Sequence, residues 1–366
     1  MLKIALILIF FSAICSAKVT DILVWEKNGD VKLIIPQREN ETAENLAKRY
    51  ITALNRDDNY QSLMEKPFVR SFADSGSNFK NFLAFDKNRP NIALVANRPG
   101  HMSLDDLVFP TVIKEISLAG ANPHIIPVGL ELVLDQMELQ EFHDLIAEKV
   151  PTLIHLGGAD IHPSLYGEKF DGARDTFLSR DKVEFLLAKT YIKKQKGMIV
   201  GFCRGHQLLG VVQGLKLIQD IPSDGRFSNE ILHSVDISMN NDHGRESAYH
   251  EITISPEENL LKNLFGQSTI LVNSRHHQSV AFVENHSDII FSGSAGEPKI
   301  VEAMEFKNGR GHSFQFHPED MQTMVSRKIL RELIDRSKLI YHFETASKQS
   351  PSKMPRFLCR SWRLSL

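Results

Sequence analysis

Gly201-Phe202-Cys203-Arg204-Gly205 has the form Gly-x-Cys-x-Gly, directly after the apolar run Met198 to Phe202 and directly before the helical run His206 to Gly214. A chain that turns sharply from strand to helix strains the residue at the turn, and small residues two before and two after it leave the backbone room to fold back. This is the pattern of a nucleophile elbow, with sulfur in place of the hydroxyl. At a helix N-terminus a thiol meets the positive end of the helix dipole, which favours the reactive thiolate. A lone cysteine is more often an inert buried residue. Here strand, glycines and helix all agree with the elbow.

A thiolate needs a base, and the base needs an orienter. Phe314-Gln315-Phe316-His317-Pro318-Glu319 supplies both. In an extended segment residues i and i+2 face the same way, so His317 and Glu319 are expected to project together, with the carboxylate holding the imidazole. Pro318 blocks the ladder and leaves the pair at a sheet terminus. A His-x-Glu pair could also be half of a zinc deaminase signature, but that chemistry requires a Pro-Cys-x-x-Cys segment, and the chain has only Cys15, Cys203 and Cys359.

The elements that must carry these residues can be read from the apolar runs. Asn91 to Asn97, His124 to Val128, Thr152 to Gly158 and Gly197 to Cys203 read as strands. Between them lie helices: one from the capping box at Ser103 and Asp106 to Gly120, one near Gln136 to Glu148, and one from Asp181 to Lys194. The last is expected to bury Val183, Leu186, Leu187 and Tyr191. Such alternation implies a parallel sheet covered on both sides, with function at the carboxyl ends of the strands. After Ile221 the pattern becomes hairpin-like, with runs near Glu230 to Ile237, His250 to Ile254, Thr269 to Val272, Ile289 to Ser292 and Ile300 to Phe306. A strand at His312 to Phe316 and a helix from about Asp320 to Tyr341 close the series.

The chain has 366 residues, 42% hydrophobic and 24% charged, long enough for a main domain with appendages. This composition excludes a wholly disordered chain and a multi-span membrane protein. The net charge of -2, from 43 Lys+Arg against 45 Asp+Glu, argues against a protein built to grip nucleic acid. Three cysteines are too few for a disulfide framework or a cysteine-based zinc site. Residues 1–17 combine Lys3, an 11-residue apolar run from Ile4 to Ile14 and the small residues Cys15, Ser16 and Ala17. They read as a secretory signal cleaved after Ala17, leaving no stable membrane anchor. The protein is therefore expected to be exported, periplasmic or secreted. Residues 18–88 read as an N-terminal α+β appendage of unknown role, with a hairpin turn at Asn28-Gly29. Residues 89–343 form the main domain, and residues 344–366 read as a loosely ordered tail.

Four segments then resemble one family in the right order: GFCRGHQLL followed by GLKLIQD, FQFHPE, LGGADIHPSLYGE (Leu156 to Glu168) and VNSRHHQSV (Val272 to Val280). They are similar to class I glutamine amidotransferase-like proteins, and within those to the peptidase C26, γ-glutamyl-γ-aminobutyrate hydrolase group. The resemblance runs from about Asn91 to Ile340. It implies an α/β, flavodoxin-like three-layer sandwich with a mainly parallel central sheet. It also implies a catalytic triad of Cys203, His317 and Glu319, and an oxyanion hole built from backbone N–H groups of Gly157, Gly158 and Arg204.

Asp160, Arg204, Gln207, His276, His277 and Gln278 are candidate substrate contacts, with His277 and Gln278 expected to line the site. His276 and His277 could instead begin a metal site. No third ligand stands at recognisable spacing, so neither metal nor cofactor is expected. The chain departs from the group at Gly210, where asparagine is common, at Leu215-Lys216, where glycine and threonine are, and at Phe316, where tryptophan is frequent. These changes bear on substrate choice and local packing. The expected activity is hydrolysis of γ-glutamyl amide bonds of a small substrate, and a homodimer stays open. A glutaminase feeding ammonia to a synthetase fits the same triad. So does a non-catalytic binding protein on the same fold.

Overall fold

A computed structural model of the chain describes residues 18–27, 31–56, 79–81, 89–95, 105–126, 129–227, 231, 233 and 247–349. The signal segment, the Asn28-Gly29 turn, Ser103, most of Glu230 to Ile237, Cys359 and the tail from residue 350 lie outside them.

In chain order the described elements begin with Val19–Lys27 (β1), Val31–Arg38 (β2), Ala43–Asn55 (α1) and Phe79–Asn81 (β3). Asn91–Val95 (β4), Asp105–Leu118 (α2), Asn122–Ile126 (β5), Leu130–Val133 (α3), Gln136–Lys149 (α4) and Thr152–His155 (β6) follow. Then come Leu178–Lys194 (α5), Met198–Phe202 (β7), Arg204–Val212 (α6) and Leu217–Ile218 (β8). The remainder is Ala248–Ile254 (β9), Leu260–Phe265 (α7), Thr269–Ser274 (β10), Ser279–Val280 (β11), Ile289–Ala295 (β12), Ile300–Phe306 (β13), Gly311–Phe314 (β14) and Met324–Gln349 (α8).

Twelve strands form one sheet in the order β10-β9-β12-β13-β14-β7-β6-β4-β5-β2-β1-β3. Its centre, from β14 to β2, is parallel, and both flanks are antiparallel. The fold class is thus the α/β sandwich expected. The near-continuous apolar strands are explained by cover on both faces. Ala93, Val95, Leu153 and Ile199 point into one core with Phe142, Leu187, Tyr191 and Leu208. Ile92, Leu94, Ile154, Met198 and Val200 point into the other with Val112, Ile116, Ile329 and Leu333.

The N-terminal hairpin extends the main sheet: Leu33 of β2 pairs with Ile125 of β5. Arg38 anchors the hairpin to α4 through Glu138, with contacts of 2.5 and 2.9 Å. Glu138 also closes the capping box at Asp135, which fixes the start of that helix.

Two expectations change. Helix α5 buries Arg180, Asp181, Glu184, Leu187, Ala188 and Tyr191, whereas Leu186 is 41% exposed and Val183 only partly covered. A buried cation turns this face inward, as described below. Helix α8 continues to Gln349, past the expected end near Tyr341.

Candidate active site

The carboxyl ends of β6, β7 and β14 meet at Cys203. Strand β7 ends at Phe202, α6 begins at Arg204, and Cys203 between them takes φ 51° and ψ -108°. A side-chain-bearing residue rarely adopts that positive φ, and the strain is held by packing on both sides. A Cβ on Gly201 would overlap the Gly205 carbonyl, and one on Gly205 would overlap the carbonyl of His155 at the end of β6. The two glycines let helix and strand close on the turn. The Cys203 N–H donates to Phe314 O at 2.8 Å, tying the elbow to β14.

Strand β14 stops at Phe314, so His317 and Glu319 are not part of an extended ladder. A turn closed by Asp320 N–H to His317 O at 3.1 Å brings them together instead. His317 Nδ1 lies 2.8 Å from Glu319 Oε1, and Glu319 is 1% exposed. With Nδ1 taken by the carboxylate, Nε2 is the ring nitrogen left for the sulfur. Burial works against the imidazolium, but the charges of Cys203 and Glu319 and their hydrogen bonds outweigh it and raise the His317 pKa to about 10. His317 therefore favours the imidazolium form at neutral pH. Asn273 at the end of β10, not singled out from sequence, accepts the His317 backbone N–H at 2.9 Å.

Gly157 follows β6. A Cβ there would sit 3.0 Å from His317 Cε1 and 3.4 Å from Cys203 Cβ, so the bare backbone of the loop reaches both reactive side chains. Gly158 takes φ 148°, open to glycine. Arg204 is the first residue of α6, and its N–H has no acceptor within the helix. Gly157 thus stands beside the Cys203 side chain, with Gly158 next on the same loop and Arg204 next in the chain.

The Arg204 side chain has a different place. It is 1% exposed, with Nη2 at 2.5 Å from Asp181 Oδ1 and Nη1 at 2.5 Å from Glu184 Oε2. Arg180 Nε adds a contact of 2.5 Å to Glu184 Oε1. This buried group locks α6 to α5 and explains the inward charged face of α5. As a substrate contact the Arg204 side chain is corrected, because both carboxylates hold it away from solvent.

The remaining candidates separate into two groups. His277 Nε2 is 3.0 Å from Asp160 Oδ2, and its Nδ1 is 2.9 Å from Asp220 Oδ1. The Arg174 backbone N–H donates to Asp160 Oδ2 at 2.6 Å, and the Arg174 side chain reaches Asp220 Oδ1 at 3.1 Å. Burial lowers the His277 pKa, but the two carboxylates overcome this and raise it above 6.5. Asp220 and Arg174 were not foreseen as partners. By contrast, Gln207 and Gln278 are buried at 3% and 1%. Gln207 Nε2 donates to Gln278 O at 3.2 Å and to Gln315 Oε1 at 3.3 Å, and Gln278 Nε2 donates to Gln219 O at 3.0 Å. The pairing of β8 with β11 holds Gln219 and Gln278 side by side.

His276 turns away from its neighbour. It packs into a buried group with His233, His250 and Glu302. The expectation that no further ligand stands near His276 is therefore corrected. The partners come from distant segments that the fold brings together.

The peptidase C26 family model matches residues 97–319, a span holding every residue of this site. A glutamine amidotransferase homologue of Schizosaccharomyces pombe is 30% identical over 230 residues, covering 62% of this chain and 81% of its own. A glutamine amidotransferase-like protein of Rickettsia prowazekii is 29% identical over 262 residues, covering 62% of this chain and 87% of its own. Among solved structures, the glutaminase domain of Trypanosoma brucei CTPS aligns at 14% identity with a TM-score of 0.44, over 70% of this chain and 94% of that one.

Proposed function

The chain belongs to the peptidase C26 family, which supports a hydrolase or glutaminase role, and on that premise we propose that it is an exported cysteine hydrolase of γ-glutamyl amide bonds. The observation that carries the reading is Cys203 at φ 51° on the β7–α6 turn, beside a histidine whose other nitrogen is 2.8 Å from a carboxylate.

The Cys203 thiolate attacks the γ-carboxamide carbon, forming a carbon–sulfur bond. The electron pair of the C=O bond moves to oxygen, which the N–H groups of Gly158 and Arg204 stabilise. Collapse of that adduct breaks the C–N bond, and the His317 imidazolium gives its proton to the departing amine. The product is a γ-glutamyl thioester and neutral His317, whose tautomer and orientation Glu319 fixes. Water attacks the thioester and gives a proton to His317. Glutamate leaves, and the thiolate–imidazolium pair returns. Asp160 and His277 stand on loops leading from the same sheet edge and bind the α-amino and α-carboxylate end of the glutamyl group. The leader at residues 1–17 delivers the mature chain outside the cytoplasm.

The test uses the chain without residues 1–17, offered γ-glutamyl-GABA, γ-glutamyl dipeptides and glutamine beside Cys203→Ser. Glutamate release from the γ-glutamyl amines, abolished in the variant, is expected. Acid quenching of the parent should trap a γ-glutamyl adduct on Cys203. Release at the parental rate by the variant would remove the triad. The names of the relatives favour a second reading, a glutaminase, and preference for glutamine over every γ-glutamyl amine would select it.

A further inference from the structure

In the interior beside α6, four side chains from four segments converge. They are His233 before β9, His250 of β9, His276 between β10 and β11, and Glu302 of β13. One potential ligand atom from each lies within 4.8 Å of all the others, and all four residues are buried. Glu302 is fully inaccessible, and the histidines are 5–8% exposed.

The ring orientations identify what faces what. His276 Nδ1 is 2.9 Å from Gln278 O and His250 Nδ1 is 3.2 Å from Glu251 O, so in each ring Nδ1 carries the hydrogen and donates to a carbonyl. In a neutral ring Nε2 is then a bare lone pair. Both Nε2 atoms lie 3.5 Å from Glu302 Oε1, and His233 Nδ1 lies 3.3 Å from the same oxygen. None of these four atoms has a hydrogen-bond partner within the described residues. The lone pairs of His250 and His276 therefore face a carboxylate oxygen in the protein interior. Such an arrangement needs a cation, because an uncompensated buried carboxylate costs several kcal/mol.

The spacing favours a metal ion over protons. Charge-assisted N–H···O bonds shorten to about 2.7–2.9 Å, well below the distances found. Ligand atoms at about 2.0–2.1 Å from a tetrahedral zinc are instead about 3.3–3.4 Å apart, which matches the three distances to Glu302. The carbonyls that receive the Nδ1 hydrogens of His250 and His276 are the outer shell that orients metal-bound histidines.

We propose that His233, His250, His276 and Glu302 bind one divalent transition-metal ion in a closed, four-coordinate site, with zinc the matching ion. Four buried protein ligands make the site structural. It braces the catalytic histidine. The Glu302 carbonyl accepts the Gln315 N–H at 2.8 Å, two residues before His317, and Asn273, which holds the His317 N–H, lies three residues before His276.

The test uses the full chain without a histidine tag, carrying Cys15→Ser, Cys203→Ser and Cys359→Ser so that sulfur cannot bind the ion. After chelator treatment it is titrated with Zn2+ or Co2+. About one equivalent of Zn2+ should bind, and the melting temperature should rise with Zn2+ concentration. Co2+ should give the intense visible absorption of a four-coordinate N/O site. Glu302→Gln and His250→Gln should each weaken Zn2+ binding by more than about 100-fold. A folded, stripped chain that binds neither ion would overturn the proposal. So would weak six-coordinate Co2+ absorption, or folded variants that bind Zn2+ like the parent. If both variants fail to fold, the Co2+ spectrum of the cysteine-free chain decides alone.

Discussion

The groups around the thiol and the buried charges are built in opposite ways. At the thiol, the geometry of each reactive side chain is set by residues next to it in the chain. Cys203 owes its position to one turn, and His317 meets Glu319 two residues away. Among the buried charges, Arg204 at the start of α6 is neutralised by Asp181 and Glu184 of α5, and Glu302 is surrounded by histidines from three other segments. In the proposed function the first arrangement serves a substrate, and it is expected to be removable without unfolding. The second closes the scaffold, so its loss should appear in stability before activity.

The sharpest way to break that contrast is His317→Gln. It should lower kcat/KM for a γ-glutamyl amine by about 10⁴-fold or more, with Glu319→Gln lower by about 10²–10⁴-fold. Both variants should melt close to the parent temperature, and the Glu319→Gln pH profile should shift because Glu319 acts through the imidazole. A large fall in melting temperature with kcat intact would reverse the assignment of the two regions.

Arg204→Met probes the scaffold side. Removing the guanidinium leaves Asp181 buried without its cation and Glu184 with Arg180 alone, a loss of about 3–5 kcal/mol in urea unfolding. Replacing Asp181 by an apolar residue of similar volume in the same chain, with Glu184 kept for Arg180, should recover part of it. A fall in kcat/KM at unchanged stability would instead return the Arg204 side chain to the substrate.

The same contrast explains what could be read from sequence. The elbow was legible because its steric demands fall on consecutive residues: Gly201 and Gly205 are required where β7 passes into α6. Strands β4 to β7 were legible because burial on both faces leaves an unbroken apolar run. The inward face of α5 was not, since Leu186 and Val183 have the right periodicity and only Arg204, on another helix, reveals why Asp181 and Glu184 point in. Asp220, Asn273 and the partners of His276 were hidden for the same reason. No spacing rule reaches across strands whose order is set by the sheet. His317 and Glu319 were paired correctly from an extended segment, yet the turn after β14 is what joins them.

Gly210 sharpens the comparison on the helix that both regions share. A Cβ there would lie 2.8 Å from Val280 Cγ2 and 3.5 Å from Met304 Cε, so α6 sits too close to β11 for the asparagine common in the resembling group. Gly210→Ala gains helix propensity of up to about 1 kcal/mol but must displace Val280. The expected net loss is about 1–2 kcal/mol, read as a lower melting temperature with kcat/KM within about threefold of the parent. A gain in stability would show that β11 can retreat.

The smallest effect belongs to His277, the neighbour of His276 that stays near the surface between Asp160 and Asp220. Its pKa is raised above 6.5 because the two carboxylates overcome burial, so its contribution is complete below pH 6.5 and is lost as pH rises through the raised value. Asp220 has the opposite sign. Burial pushes its pKa up, but hydrogen bonds from Ser223 and His277 dominate and lower it below 3.8, so its contribution is lost only as pH falls through that lowered value. Both signs favour the pair between roughly pH 4 and 6.5. The melting-temperature difference between the parent and His277→Gln should peak there and decline on the alkaline side. Its size should stay under about 1 kcal/mol, because the pair is partly exposed and screened. A difference that does not vary with pH would mean that His277 is held by packing alone, and would remove the charge that distinguishes it from the buried histidine beside it.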